Sequence, residues 1–428
     1  YYIGLALHFQ ERFSDAVTAM ENYLASDDKA IPEPLVNKQL AMIQRAEKAY
    51  NAPKNHRLVN MGEAVNSAYP DYVPLISADG SQLYYTSRRA GGVSNQHDPN
   101  GDFFEDVYTS TKVNGEWSVA ENLGAPINTE THDATVALSP SGNRLLVYRT
   151  NPSLEGGDIF STEMGQNGWS EPEKFTDRVN SRFFEPSATI ASDERTIYFA
   201  SNRPGGDGGK DIYRVVELPD GTWSHPLNLG PTINSAAHED GPFISADGSA
   251  LYFSSTGHNG IGGYDLFKST FDSKSGEWNV PRSLGHPVNT VFDDIYLVME
   301  ASGKVGYYST NRLGGFGDHD IYQVSFGAEN PMILVSGRIT DELDRPLRAD
   351  IRTTANVTGS VKRYQSNAKT GKYVLVLEPG DLYAVEVSGL DVETLTFEMQ
   401  YEEELGASVT EVNKDIRLKH LNQQSLNE

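Results

Sequence analysis

The sequence predicts a mainly β chain: a five-bladed β-propeller with an α-helical segment before it and a small β-sandwich after it. Three observations predict this. One unit recurs five times, its anchor residues 62, 52, 54 and 55 positions apart. The residues before the repeats show helical periodicity, and those after them alternate apolar and polar between Gly and Pro turns. Composition agrees, because 22 Tyr and 39 Gly in 428 residues suit many short strands joined by tight turns and do not suit disorder.

Residues 1–55 come first. Residues 3–24 read as a helical hairpin, and a further helix runs from about Glu33 to Tyr50, after Pro32. Gly4, Ala6, Leu7, Phe13, Ala16, Met20 and Leu24 fall where a tetratricopeptide repeat places its packing residues, so the segment resembles such a repeat; an ordinary helical pair is the alternative. Single repeats of this type cannot bury their faces, which predicts more helices upstream. Tyr1 to Ala6 already read as the middle of a helix, so the N-terminus and any targeting signal are expected to precede Tyr1.

The repeats occupy residues 56–330. Their anchors are Val65-Asn66-Ser67, Ile127-Asn128-Thr129, Val179-Asn180-Ser181, Ile233-Asn234-Ser235 and Val288-Asn289-Thr290. Each is followed by an alternating apolar run, a turn such as Ser245-Ala246-Asp247-Gly248, and a second strand such as Leu251-Tyr252-Phe253. A Gly-rich loop then leads to a third strand that opens with Asp-Ile-Tyr or a variant, at Asp106, Asp158, Asp211, Asp265 and Asp320. Trp117, Trp169, Trp223 and Trp278 mark a fourth strand. Tandem four-stranded units predict a propeller, which protects sheet edges by radial repetition. The fifth unit ends at Ser325-Phe326 without a Trp-bearing strand, while Leu58–Asn66 matches Leu227–Asn234 with one residue inserted. Segment 57–66 is therefore expected to supply the missing outer strand and close the ring.

The pattern Ser-x-Asp-Gly, Tyr-Phe-x-Ser-Asn-Arg-x-Gly-Gly and Asp-Ile-Tyr resembles the TolB-type propeller repeat, and Ile197 to Tyr213 carries it almost completely. Residues 331–390 hold Val335–Asp341, Arg345-Pro346-Leu347, Ala368–Leu375 and Tyr383–Val387, and resemble the carboxypeptidase regulatory-like, transthyretin-like sandwich. That resemblance implies a binding or spacer module without catalytic residues. Residues 391–428 read as an acidic, then polar, linker.

Net charge is −24, from 59 Asp and Glu against 35 Lys and Arg. Such a surface repels nucleic acid and anionic headgroups and favours basic partners. The absence of Cys excludes disulfides, thiolate metal sites and Cys nucleophiles. No apolar run approaches the ~18 residues of a membrane-spanning helix.

Five residues after each anchor Asn stands a carboxylate: Asp71, Asp133, Glu185, Glu239 and Asp294. Placed at the start of the innermost strands, the five would ring one mouth of the central channel, raise one another's pKa and attract a cation or a basic side chain. The alternative is that each accepts backbone N–H groups locally. The Asp of Asp-Ile-Tyr reads as structural; an Arg precedes it in only three copies (Arg89, Arg203, Arg312), with Asn151 and Gly257 in the others, so loop N–H groups are its expected partners. In the longer first loop, Asp98, Asn100, Asp102 and Asp106 offer oxygens at the alternate spacing that suits Ca²⁺, although the loop lacks the bidentate Glu of an EF-hand; a solvated Asx-turn is the other reading. No other cofactor is expected. The Gly-rich loops precede strands rather than helices and so do not read as phosphate cradles. The His residues show no HExxH spacing, and Gly-x-Ser-x-Gly is absent.

Helical repeat, TolB-like propeller and regulatory-like sandwich, in this order, resemble the PorE-like envelope proteins of type IX secretion and gliding systems. The resemblance implies a non-catalytic scaffold on the periplasmic side of the outer membrane, with secretion or gliding proteins as partners and any lipid anchor upstream of Tyr1. Peptidoglycan binding would fall to an OmpA-like domain that these residues do not include. Two other classes stay open. One is a Ca²⁺-dependent glycan-binding module, which exposed aromatics around a channel mouth would favour. The other is a glycosidase-type propeller, which would place distinct acids on different blades.

Overall fold

The computed structural model describes residues 1–27, 30–326, 332–402 and 409–421. The described chain is mainly β, with three short helices and seven sheets. The helices are α1 (Tyr2–Phe9), α2 (Phe13–Ala25) and α3 (Glu33–Asn51). Apolar residues at helical spacing put Phe13, Ala16, Met20, Val36, Ile43 and Ala46 on buried faces, packed against Ile261 and Val291 of the β region. Pro34 sits in the first turn of α3, where its missing N–H costs nothing.

Five antiparallel sheets follow, here numbered 1 to 5. Their first strands are Asp71–Ile76, Asp133–Leu138, Ala188–Ile190, Glu239–Ile244 and Asp294–Met299. Each pairs with a second strand, and that with a third, beginning at Asp106, Gly157, Asp211, Asp265 and Asp320 respectively. The outer strand of sheets 1, 2 and 4 is broken into two short pieces, one carrying Trp117, Trp169 or Trp278 and the other pairing further along. In sheet 3 it is Leu227–Asn228, with Trp223 only in an isolated bridge. In sheet 5 it is Arg57–Asn60, paired antiparallel with Tyr322–Ser325.

The first strands touch in cyclic order: sheet 1 meets 2, 2 meets 3, 3 meets 4, 4 meets 5, and 5 meets 1. Together they line one narrow apolar cavity of about 60 Å³, with Leu75, Leu138, Ile190, Ile244 and Val298 on its wall. The anchor Asn explains much of this arrangement. Each accepts the N–H and donates to the C=O of the residue after the Asp of the preceding sheet's third strand, at 2.7–3.1 Å. The pairs are Asn66 with Ile321, Asn128 with Val107, Asn180 with Ile159, Asn234 with Ile212 and Asn289 with Leu266. A buried amide satisfying both groups of one peptide leaves no polar atom orphaned at the seam. The Trp side chains pack edge-on to an aromatic of the preceding sheet, as Trp169 does on Tyr84 and Trp117 on Tyr307.

Four seams carry a further backbone bond, all of 2.8 Å: Asp71 N–H to His319 C=O, Asp133 to Glu105, Glu239 to Lys210, and Asp294 to Tyr264. Among the described residues the corresponding bond from Glu185 to Gly157 is absent. The first strand of sheet 3 starts only at Ala188, beyond Pro186, so Glu185 lies outside the ladder. A cavity of about 850 Å³ opens at this seam, lined by Tyr148, Asp158, Lys174, Phe183 and Phe184.

The C-terminal sandwich has two sheets over one core that includes Val335, Ile351, Tyr373, Leu375, Val385 and Met399. Met332–Thr340 pairs antiparallel with Lys372–Leu377 and parallel with Val409–Asn413. The expected linker at 391–428 is therefore corrected. Leu395–Gln400 pairs with Leu382–Val387, and Ile416–Arg417 pairs with Ile339–Thr340. Acidic residues on the exposed face of these strands hid their alternation. Residues 422–428 lie outside the described residues.

The sandwich packs across the turns that end the first strands. Leu334, Val376 and Val409 meet Ala78, Ala246 and Ala301. Buried Asn143 donates to Ser366 C=O at 3.0 Å and accepts Ala368 N–H at 2.7 Å.

Candidate functional site

With the sandwich at one end, the opposite end of the sheets gathers the anchor loops, the Gly-rich loops and the repeated carboxylates. Asp71, Asp133, Glu239 and Asp294 open their first strands, and Glu185 lies three residues before its own. All five are buried. Each accepts the backbone N–H of the Ser or Thr after its anchor Asn, from Ser67, Thr129, Ser181, Ser235 and Thr290. Four also pair with an arginine of their own sheet: Asp71 with Arg89 at 2.6 Å, Asp133 with Arg149 at 2.7 Å, Glu185 with Arg203 at 3.2 Å and Asp294 with Arg312 at 2.9 Å. Glu239 has His258 at 3.8 Å and the hydroxyls of Ser235 and Ser255.

The five do not share one cation. Burial is the main reason that Asp71, Asp133 and Asp294 sit above the ordinary carboxylate range, and their own arginines oppose it. The arginines thus serve this ring and not the Asp of Asp-Ile-Tyr. Arg149 and His258, displaced in sequence from Asn151 and Gly257, fill the role in sheets 2 and 4.

The Asp of the third strand accepts loop N–H groups in four sheets: Val93 to Asp106, Asp207 and Gly208 to Asp211, Ile261 and Gly262 to Asp265, and Phe316 and Gly317 to Asp320. A Cβ at Gly206 or Gly260 would strike the carboxylate, which accounts for glycine there. Asp158 pairs with Lys174 at 3.0 Å instead.

The first loop brings Asp98 and Asp102 together but leaves Asp106 elsewhere. Asp98 accepts the N–H groups of Asn100 and Asp102 at 2.8 and 3.1 Å, an Asx-turn. Arg88 stands 3.5 Å from Asp98 and 3.0 Å from Asp102. These bonds outweigh burial and hold Asp98 below the usual range. Asp106 is held separately by Val93 and Asn122. Among the described residues no group of three or more His, Asp or Glu side chains is placed to hold a metal ion.

The positions that vary between repeats supply a second constellation at the same end. Glu105, Lys210, Tyr264 and His319 precede the third strands, and their carbonyls make the seam bonds given above. Tyr72 and Asp240 follow the repeated carboxylates of sheets 1 and 4. The first strands of sheets 1, 4 and 5 break register beside Tyr72, Asp240 and Ile295, with Val73, Gly241 and Tyr296 at φ 49°, 55° and 61°. Such bulges re-aim side chains, and a positive φ at Val or Tyr is costly. The neighbouring sheet holds each bulge, since Ser309, Ser187 and Ser254 Oγ accept the N–H groups of Val73, Gly241 and Tyr296 at 3.0–3.2 Å.

Two charged groups result. Glu105 accepts the Tyr72 hydroxyl and stands 3.0 Å from His132 Nδ1 and 3.7 Å from Arg88 Nε. Burial raises its pKa, but His132, Arg88 and Tyr72 together leave it below the ordinary value. Asp240, buried in sheet 4, pairs with Lys210 of sheet 3 and accepts from Ser187 and from Gly241 N–H. Lys210 Nζ also lies 5.4 Å from the Tyr264 ring centre. Tyr296 packs against Gly241, next to Asp240; burial raises its pKa most, and the carboxylates of Asp240 and Glu105 add to the rise. Around this end Tyr69, Phe184, Phe316 and Leu313 are exposed.

Reading the repeat for its constant residues missed this group, because Glu105, Lys210 and Asp240 occur once each. The available signal was a charge at an axis-facing position that is Gly157 or Pro186 in other copies.

No family model and no curated protein matches the chain. Solved structures match in part. A thermostable family-43 glycoside hydrolase is 14% identical over 59% of this chain and 88% of that one, with a TM-score of 0.37. Hydrazine synthase of Kuenenia stuttgartiensis is 14% identical over 58% of each chain, with a TM-score of 0.30. Hydroxyquinol 1,2-dioxygenase of Pseudomonas putida DLL-E4 is 10% identical with a TM-score of 0.18, over 22% of this chain and 58% of that one. The chain thus spans less than two thirds of that dioxygenase.

Proposed function

We propose that sheets 1 to 5 are the blades of a five-bladed propeller, in a non-catalytic scaffold that holds protein partners at the end opposite the sandwich. The cyclic order of the first strands and the clamp of Asn66 on Ile321 support the propeller. The observation that carries the function is the fate of the acids. The repeated carboxylates are committed to local N–H groups and to arginines, or His258 at Glu239, while the aromatic and charged residues that occur once collect at the end opposite the sandwich, which the helices cover only over the loops of sheets 4 and 5. Exposed aromatic side chains are enriched in protein-docking faces, where they serve as anchors. The resemblance to PorE-like proteins makes the partners outer-membrane or periplasmic members of a type IX secretion or gliding complex, and the setting the bacterial envelope.

A glycosidase reading has one observation in its favour, that Glu105 and Asp240 are unlike acids on different sheets. Glu105, however, is held below its ordinary pKa, the wrong direction for the general acid such an enzyme needs.

The test is isolation of the tagged protein from its native membrane in mild detergent. Envelope or secretion proteins should co-purify, and Phe184→Ala with Phe316→Ala should reduce their recovery. Recovery of the protein alone would overturn the scaffold reading.

A further inference from the structure

The seam between sheets 2 and 3 is built differently from the others. In sheets 3, 4 and 5 the loop before the third strand folds over the anchor loop of the next sheet. Its glycine three residues before the Asp is Gly208, Gly262 or Gly317, and a Cβ there would stand 2.2–2.3 Å from the carbonyl oxygen of Ser235, Thr290 or Tyr69. The N–H groups of that glycine and of the residue before it both bond the Asp. In sheet 2 the glycine position is Glu155, and the loop is one residue shorter, since Arg149 pairs with Asp158 whereas Ser201 pairs with Asp211. A glutamate side chain has no room against the anchor-loop carbonyls, so this loop turns back on itself, with Asn151 N–H on Gly156 C=O at 2.8 Å and Leu154 N–H on Asn151 C=O at 3.0 Å. The cleft of about 850 Å³ opens where the contact is missing. Residues 155–158 line one side and residues 181–184 the other.

Three groups at this cleft lack what their counterparts have. Asp158 accepts no loop N–H among the described residues, and its side chain is 32% exposed, whereas Asp211, Asp265 and Asp320 are buried. Lys174 does not replace those donors. It stands on the outer strand opposite Phe160, at the position that Asn228 holds opposite Tyr213, and Asn228 bonds Asp211 at 2.9 Å in addition to the two loop N–H groups. The outer-strand place is thus filled at Asp158 and the loop place is empty. Buried Glu185 has no acceptor for its N–H among the described residues, although its counterparts all bond across their seams. Phe184, 46% exposed, takes the position of His238 and Asp293, which accept the N–H groups of Lys210 and Tyr264 at 3.1 and 2.7 Å. A phenyl ring accepts no such bond and meets Tyr148 edge-on instead.

We infer that this cleft receives a glycine-containing turn of a partner protein, which supplies the backbone that the sheet 2 loop withholds. Two successive N–H groups of the turn bond Asp158, as turns bind anions. Its glycine rests on the Ser181 and Phe183 carbonyls, and the apolar residue before that glycine packs on Phe184. The other seams identify the occupant as polypeptide, because polypeptide fills the same place there, and a partner's backbone completing a fold is a recurring mode of peptide recognition. The inference rests on the scaffold reading and adds what the partner presents.

The test adds acetyl-Asn-Gly-Ile-Gly-Gly-Tyr-amide, the sequence of residues 259–264, to the full chain and follows binding by saturation-transfer NMR. This peptide should bind saturably. The same peptide with alanine at the place of Gly262 should not, because its added methyl meets the anchor-loop carbonyls. Asp158→Ala should weaken binding at least about tenfold, as loss of a charged acceptor does. Lys174→Ala frees the carboxylate and should leave binding equal or tighter. Circular dichroism verifies folding of both variants. Failure of the glycine peptide to bind, equal binding of the alanine peptide, or undiminished binding to Asp158→Ala overturns the inference. So does loss of binding in Lys174→Ala, which would make the cleft a site for anions. In the membrane isolation, a chain whose residues 150–157 are replaced by residues 256–264 carries its own plug and should lose partners that wild type recovers. Partners recovered equally by the two chains would overturn the inference and leave the scaffold reading intact. Peptide binding that meets every control, in a chain that recovers no partner, would uphold the cleft and remove the scaffold reading alone.

Discussion

Replacing Asp265 by Asn isolates one buried carboxyl whose surroundings differ from those of its counterparts in the other sheets. Its Oδ2 accepts Ile261 and Gly262 N–H at 2.8 and 2.9 Å, and its Oδ1 has no partner. The helices cause the difference. Arg45 of α3 donates to Gly260 C=O at 3.0 Å and His8 of α1 bonds Ile261 C=O at 3.0 Å, which seals the loop over Asp265. Burial, only partly offset by the Gly262 N–H, pushes its pKa from 3.8 to about 8, and Asp294 adds to the rise. The folded chain then keeps a proton that the unfolded chain releases between about pH 4 and pH 8. Stability therefore falls as pH rises through that window, by about 1.4 kcal/mol per pH unit at most and by no more than about 6 kcal/mol in all. An asparagine keeps the accepting oxygen and carries no such proton. Urea unfolding at pH 5, 6, 7 and 8 and fixed ionic strength should show wild type and Asp265→Asn within about 1 kcal/mol at pH 5. The variant should then gain steadily on wild type toward pH 8. Curves that stay parallel across the series would refute the reasoning.

Three further expectations follow from the seams and the ion pairs. Asn66→Ala strips both bonds from the buried Ile321 peptide and should cost about 2 kcal/mol or more in urea unfolding, whereas Asn100→Ala in the exposed first loop should cost almost nothing. Arg312→Met leaves Asp294 buried without its cation and should cost about 3–5 kcal/mol, part of which Asp294→Asn added to it restores; an additive double variant would deny the coupling. Chelation should leave the melting temperature unchanged, because Arg88 and backbone N–H groups already occupy Asp98 and Asp102; a rise with added Ca²⁺ would restore the metal reading of that loop.

Much of the β region was legible because its repeats state their own register. The anchor Asn, the turn residues and the Asp of Asp-Ile-Tyr mark the strand order within each unit, and the match of Leu58–Asn66 to Leu227–Asn234 places Arg57–Asn60 beside Tyr322–Ser325. What the Asn does was not legible, since its clamp on the preceding sheet joins residues as distant as 66 and 321. The partner of the arginines was not legible either, because strand pairing sets Asp71 opposite Ser87, two residues from Arg89, and so joins residues 18 positions apart. Past Val387 the alternation of apolar residues is diluted by Glu393, Glu398 and Glu402, so strands that complete the sandwich read as linker. The charged group at the mouth was hidden because its members occur once each, and repeat comparison discards what does not repeat.

The pairing of Arg57–Asn60 with Tyr322–Ser325 also has a mechanical meaning. Arg57 lies opposite Ser325, so the chain enters and leaves sheet 5 at the same end of this pair. Tension applied between the helices and the sandwich would then peel the strands apart one bond at a time instead of loading all the bonds in shear. Lys54 N–H on His286 C=O, at 2.7 Å, is the first brace against that motion, and the Asn66 clamp is the last. A tether running through these two modules would yield here first, unfastening a single edge strand while the four internal sheets keep their pairing.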